Sequence, residues 1–373
     1  MSFVRREYPL FAILVTTILF AVFGHGWLSD YSSPAWSAFL FAWLFCFIIG
    51  GAIAVVRHAD HLAELLGEPF GTLILTLSVT SIEIMTVAIV MLTGPDNPTL
   101  GRDTMFSVVM IVLNGLIGLG LLLGGWRYRE QEYNFRGASA YLSVIFSLAV
   151  FGLVMPNFTW STPGGTFSEA QEFFLVAMCL GLYGVFLAIH TTRHRAYFLP
   201  PSANEDRSLA AAADPERHHA SGGRSWLHHA ILLVVYLGLV IKLAEELGQS
   251  LNHGLDDLNA PPALGAFVVA VLVLAPEGLG AVRAALANQL QRTVNILLGS
   301  VLATLALTFP ALLFISISRG LDLVLGLDSV QMVMLVLTLL VSTITFASGR
   351  SNVLQGAVHL MLFFGYVMLM FWS

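Results

Sequence analysis

Apolar stretches of about twenty residues recur along this chain, each bounded by charge, glycine or proline. That is the length an α-helix needs to cross the hydrocarbon of a bilayer, where backbone N–H and C=O groups must be satisfied within the protein itself. Read this way, the sequence predicts eleven helices, over roughly 8–28, 35–56, 69–93, 104–126, 138–156, 171–192, 230–250, 263–282, 293–317, 328–347 and 352–372. The first run follows Arg5 and Arg6, but it is too long for a signal peptide and lacks a small-residue cleavage site, so it reads as a retained span.

Composition closes off other classes. Charged residues make up 11% of the 373, against about 25% in soluble globular domains. The basic residues other than Lys242 are scattered arginines, which leaves no basic face to grip nucleic acid. Cys46 and Cys179 both sit inside apolar runs and read as packing residues, not as a disulfide framework. Fourteen arginines fall at the N-terminus and in connections after even-numbered helices, and two in connections after odd-numbered ones. Arginine is retained on the cytoplasmic face, so the expected topology is N-terminus inside, C-terminus outside. The one long connection, 193–229, is then cytoplasmic and divides the chain into a first helix (1–34), a first half (35–192) and a second half (230–373).

The two halves repeat one another. Ala63-Glu64-Leu65-Leu66-Gly67 matches Ala244-Glu245-Glu246-Leu247-Gly248 at four of five positions, and Gly71 to Glu83 lines up with Gly265 to Glu277, each Gly reaching a Glu twelve residues later. Each half holds five predicted spans, and an odd number sets two copies in opposite orientations. Inverted repeats of this kind build secondary transporters, with the binding site near the midplane where the repeats meet. The expected architecture is therefore all-α and polytopic, with about eleven transmembrane helices arranged as one extra helix plus two inverted five-helix repeats.

Glu83 and Glu277 fall near that depth. A charged carboxylate there costs about 2.5–3.5 kcal/mol or more, and neither has Lys or Arg three or four residues away. A protonated pair that merely glues helices together is one reading. The other is a divalent-cation site, because calcium seeks six to eight hard oxygens and two glutamates supply up to four. Further oxygens are available from Thr80, Ser81, backbone carbonyls and water, and from Asn114, Ser300 and Thr304 on the fourth and ninth helices. Pro276 has no N–H to give the carbonyl of Leu272, which frees that oxygen where a broken helix could use it. The same carboxylates can carry protons instead, so one site serves two competing cargos.

These residues resemble the calcium/proton antiporters of the calcium:cation antiporter superfamily, especially the bacterial members. The resemblance is carried by LGEPFGTLILTLSVTSIE (Leu66 to Glu83), LAPEGLGAVRAALANQLQRTVNILLGSVLAT (Leu274 to Thr304) and SGRSNVLQGAVHL (Ser348 to Leu360), and extends from about residue 35 to the end. It implies that Glu83 and Glu277 are the cation and proton ligands, in a protein of the bacterial inner membrane. Many relatives carry Gly-Asn-Ala before the glutamate, where this chain has Val79-Thr80-Ser81-Ile82 and Leu274-Ala275-Pro276. An amide oxygen is thereby missing, which opens the cargo to sodium or potassium as well as calcium.

Other features read more simply. Lys242, Glu245 and Glu246 form an ion-paired cluster toward the outer end of the seventh helix, and Arg57, Asp60, His61 and Glu64 match it on the inner side. Asp60, Glu64, Glu245 and Glu246 are thus candidate vestibule acids. His194, His218, His219, His228 and His229 lie in or beside the cytoplasmic connection, read as a solvated loop. An intramembrane enzyme would need a nucleophile or metal motif, and neither Gly-x-Ser-x-Gly nor His-Glu-x-x-His occurs. The expectation is a non-enzymatic carrier without cofactors, whose partners are inorganic cations, protons and membrane lipid. A passive channel would lack the coupling of the two fluxes.

Overall fold

The computed structural model describes residues 7–29, 33–66, 70–93, 97–201, 225–257, 260–320 and 323–372. Among them are eleven helices: α1 (Tyr8–Ser29), α2 (Pro34–Leu66), α3 (Phe70–Thr93), α4 (Leu100–Tyr128), α5 (Phe135–Phe158), α6 (Glu169–Ala188, closing in a π turn at Ile189–Arg193), α7 (Ser225–Asp257), α8 (Pro262–Leu286), α9 (Leu290–Arg319), α10 (Ser329–Thr345) and α11 (Val353–Trp372). Nine of these, among the described residues, are long and apolar enough to cross a membrane; α3, with its described apolar core at Leu77–Ile89, and the 17-residue α10 are the shorter two.

Local chemistry sets the ends. Ser168 and Gln171 form a capping box at the start of α6, and Asp328 and Gln331 another at α10. Asn134 caps α5 by accepting from the Arg136 amide. Gly320, in the left-handed region at φ 64°, ends α9.

Several expected boundaries move. Helix α2 runs to Leu66, so Arg57, Asp60, His61 and Glu64 ride on its last turns and not in a connection. Helix α7 begins at Ser225 and ends at Asp257, drawing His228 and His229 out of the expected loop and carrying Asp256 and Asp257 in its final turn. Both extensions keep the polar residues on helix while the apolar part stays of spanning length. His218 and His219 lie outside the described residues. The all-α expectation gains one small exception, an antiparallel pair in which Gln131 faces Ser351 and Glu132 faces Arg350. Two residues a side carry no hydrophobic period that could have announced them.

The chain forms two compact units. The first comprises residues 1–104 and 222–276, thus α1 to α3, α7 and the first part of α8. Its core is α2 against α7, with Leu44, Ile48, Val55 and Ala59 meeting Tyr236, Val240, Leu243 and Leu247. The second comprises residues 105–221 and 277–373. Its centre is α4 against α11, where Gly118 and Gly356 let the backbones approach so closely that a methyl on either would strike the opposite main chain.

Helices α4 and α9 share an interruption. Each begins as α-helix, loosens into a π turn at Ile111–Leu116 or Thr304–Thr308, and then resumes. A π turn breaks the regular ladder of backbone hydrogen bonds, and such turns recur at functional sites.

Candidate functional site

In the first unit, Glu83 is a buried carboxylate in the middle of α3. Thr80, one turn before it, is buried as well. Ser81 donates its hydroxyl to the carbonyl of Leu77 in its own helix, and Thr86 does the same to Ile82. Ser81 therefore spends its proton locally, although its oxygen keeps acceptor capacity. Leu272 and Pro276 are both buried on α8. As in the predicted 263–282 span, α8 passes through Pro276, running continuously from Pro262 to Leu286; the proline withholds one hydrogen bond without ending the helix.

In the second unit, Glu277 follows directly on that proline. The hydroxyl of Ser300 on α9 donates to its Oε2, and among the described residues no basic side chain pairs with it. Thr304 lies one helical turn beyond Ser300, buried, at the residue where α9 becomes a π turn. Positions four apart share a helix face, so Ser300 and Thr304 form one hydroxyl-bearing strip. Of the expected lining residues, Ser300 is thus joined to a glutamate directly.

Asn114 sits in the π turn of α4, fully buried, with its amide engaged elsewhere. Its Nδ2 donates to Thr338 Oγ1 on α10 at 2.8 Å, and its Oδ1 faces Nδ1 of His359 on α11 at 3.3 Å. His359 Nε2 in turn meets Thr345 Oγ1 at 3.0 Å. This chain through three helices includes Thr338, Thr345 and His359, none of which sequence reasoning singled out. His359 lies within the Ser348 to Leu360 segment that carries the family resemblance, the one signal that pointed toward it.

The vestibule acids divide. Lys242 Nζ lies 2.6 Å from Glu245 Oε2 and 3.8 Å from Glu246 Oε1, as the spacing suggested. Asp60 is exposed on α2, and the side chain of Glu64 lies outside the described residues. A further cluster on this unit was not anticipated. Glu7, just before α1, is buried; Arg57 Nη2 donates to its Oε2 at 2.8 Å and Tyr236 at 3.1 Å, with His58 Nε2 at 3.4 Å from the same oxygen. His58 Nδ1 then contacts His229 Nδ1 at 2.9 Å. Among the described residues no group of three or more His, Cys, Asp or Glu is arranged to hold a metal ion.

Long apolar helices with carboxylates set inside them, one answered by a hydroxyl from a neighbouring helix, define a polytopic membrane protein with ionisable groups at depth. Such groups mark ion and proton pathways. The chain belongs to the sodium/calcium exchanger protein family, whose model matches residues 36–192 and 228–372. It is 43% identical to the sodium-potassium/proton antiporter ChaA of Escherichia coli over 87% of this chain and 86% of that protein. It is 43% identical to a putative ionic transporter, y4hA, of Sinorhizobium fredii over 86% of each. A Ca(2+)/H(+) antiporter of Aphanothece halophytica is 26% identical over 69% of this chain and 73% of its own length. Among solved structures, native YfkE superposes with a TM-score of 0.73 at 19% identity, covering 98% of this chain and all of its own.

Proposed function

We propose that this protein is a secondary active cation/proton antiporter in which Glu83 and Glu277 bind a cation or protons in turn. The observation that carries the reading is Glu277 inside a spanning helix, hydrogen-bonded by a hydroxyl and, among the described residues, not neutralised by a basic side chain. A carboxylate at that depth needs a counter-charge, and a transported cation or a proton supplies it. Two carboxylates balance one divalent ion or two protons. Binding of either displaces the other, which is the reciprocity that antiport requires.

The arrangement works by alternating access, with the repeats as the rocking elements. Support for two inverted repeats comes from helix lengths. Helices α2 and α7 both have 33 residues, α3 and α8 have 24 and 25, and α4 and α9 span 29 and 30 with a π turn in each. The family model also matches the chain in two segments, one in each half.

The cargo follows from two lines of support. The paired carboxylates and the resemblance to calcium/proton antiporters favour Ca2+. The missing amide before each glutamate, and 43% identity to a protein named for sodium and potassium, favour monovalent cations. We infer that Ca2+ and Na+ or K+ compete for the same two glutamates. The test is dissipation of an imposed pH gradient in inverted membrane vesicles on adding each cation. Wild-type protein dissipates the gradient, while Glu83→Gln and Glu277→Gln insert normally and do not. Exchange at near wild-type rate by either variant overturns the assignment.

A further inference from the structure

We propose that His359 is a positioning residue that fixes the amide of Asn114 and thereby sets cation affinity, which rests on the antiport reading above. The argument starts from the π turn in α4. In a regular α-helix the Ile117 amide donates to the carbonyl of Leu113. Here it donates to the carbonyls of Val112 and Asn114, so Leu113 loses its helical donor. A buried carbonyl left in that condition has to find another partner. The ring of His359, fully buried on α11, faces it from the neighbouring helix.

Hydrogen-bond accounting then fixes the ring. The Thr338 hydroxyl gives its own hydrogen to Met110 Sδ, which can only accept, so Thr338 Oγ1 accepts from Asn114 Nδ2 and Oδ1 is the atom facing His359. Asn114 Oδ1 and the Leu113 carbonyl are acceptors only, so His359 Nδ1 must carry the hydrogen. Nε2 meets the Thr345 hydroxyl, which gives or takes. His359 thus donates from one nitrogen to the π turn and anchors to α10 through the other. An amide oxygen has two lone pairs; His359 occupies one and holds the other in a set direction, available to a cation that reaches it. Tight backbone contact between α4 and α11 at Gly118 and Gly356 keeps the ring seated.

The substitutions separate this role from simple packing. An asparagine amide nitrogen falls close to the histidine Nδ1 position and a glutamine nitrogen close to Nε2. His359→Asn is expected to retain the wild-type cation KM within about twofold, whereas His359→Leu and His359→Gln raise it about tenfold with a much smaller loss of maximal rate, as removal of one positioned ligand requires. In Asn114→Ala the KM is already raised, and adding His359→Leu changes it no further, because the two residues act through one oxygen. Multiplying effects, or equal KM in His359→Leu and wild type, overturn the proposal.

A readout independent of transport is the 15N spectrum of histidine-labelled full-length protein in lipid nanodiscs. The signal lost in His359→Asn must show a protonated Nδ1, and a bare Nδ1 sinks the idea. If wild-type vesicles exchange no cation at all, the antiport reading fails, and the spectrum together with cation-induced shifts of Tm in the same variants still decides the positioning claim.

Discussion

Ser300 turns Glu277 from an isolated charge into a supported one. A hydrogen bond to a charged group contributes about 1.5–3 kcal/mol, and the same hydroxyl oxygen can face a cation. Ser300→Ala is therefore expected to weaken apparent cation affinity by about tenfold or more while leaving exchange measurable, and Ser300→Thr to restore it; unaltered affinity in the alanine variant would remove Ser300 from the site. Protons and cation competing for the same carboxylates predict a pH dependence of definite sign. As pH falls on the loading side, the apparent KM rises, by about tenfold per unit for each proton displaced; a KM independent of pH would separate the two cargos. Stability follows burial more than charge count. Glu7 is 5% exposed in its side chain and holds Arg57, while Lys242 and Glu245 pair at 46% and 36%. Glu7→Ala strands buried partners and costs about 1–3 kcal/mol, against about 1 kcal/mol at most for Lys242→Ala. Thermal unfolding in detergent ranks them. The glutamates were legible in the sequence because a lone acid inside an apolar run stands out. Glu7 was not, since it precedes the run and its burial depends on Arg57, His58 and Tyr236, fifty and more residues away.

At the scale of elements, apolar length announced every helix, whereas interruptions left no trace in composition. Pro276 is the instructive case. A proline inside a helix predicts a kink or break, yet α8 passes through it, because one missing N–H is tolerated where neighbouring packing holds the rest. The π turns are the reverse case: IVLNGL and TLALT contain no residue that demands them. The partners of the first are on α10 and α11, 224 and 245 residues from Asn114, beyond the reach of any local pattern. What the sequence does carry is the spacing of small residues that brings α4 to α11. Gly356→Ala places a methyl against the backbone of Gly118 and Leu122, and overpacking of this kind costs about 1–3 kcal/mol. The expected result is a lower Tm together with a raised cation KM, since the same shift lifts His359 from the π turn. A lower Tm with unchanged affinity would show that the seam serves stability alone.

For the whole chain, the question is which ends lie together, and hydrogen bonds within each unit answer part of it. In the first unit Glu7 at the start meets Arg57 at the end of α2 and, through His58, His229 at the start of α7. In the second, the α4–α5 connection meets the α6–α7, α8–α9 and α10–α11 connections: Asn134 donates to Ala196 O, Gln131 to Ala285 O and Asn288 Oδ1, and Gln131 pairs with Ser351. The α5–α6 and α9–α10 connections join each other instead, through Gly165 O with the amides of Leu325 and Gly326, and Asn157 with Leu327 O. Connections after even-numbered helices thus associate with one another, as do those after odd-numbered ones, which is the alternation that repeated membrane crossing demands. The arginine bias predicts that the even set faces the cytoplasm. Single cysteines test both steps in a background lacking Cys46 and Cys179. Ser161→Cys, exposed in the α5–α6 connection, should react with a membrane-impermeant maleimide in intact cells, and Ala287→Cys, exposed after α8, only in inverted vesicles. Labelling of both from one side would refute the alternation. The reverse pattern would preserve it and invert the orientation, and with it the side from which protons enter.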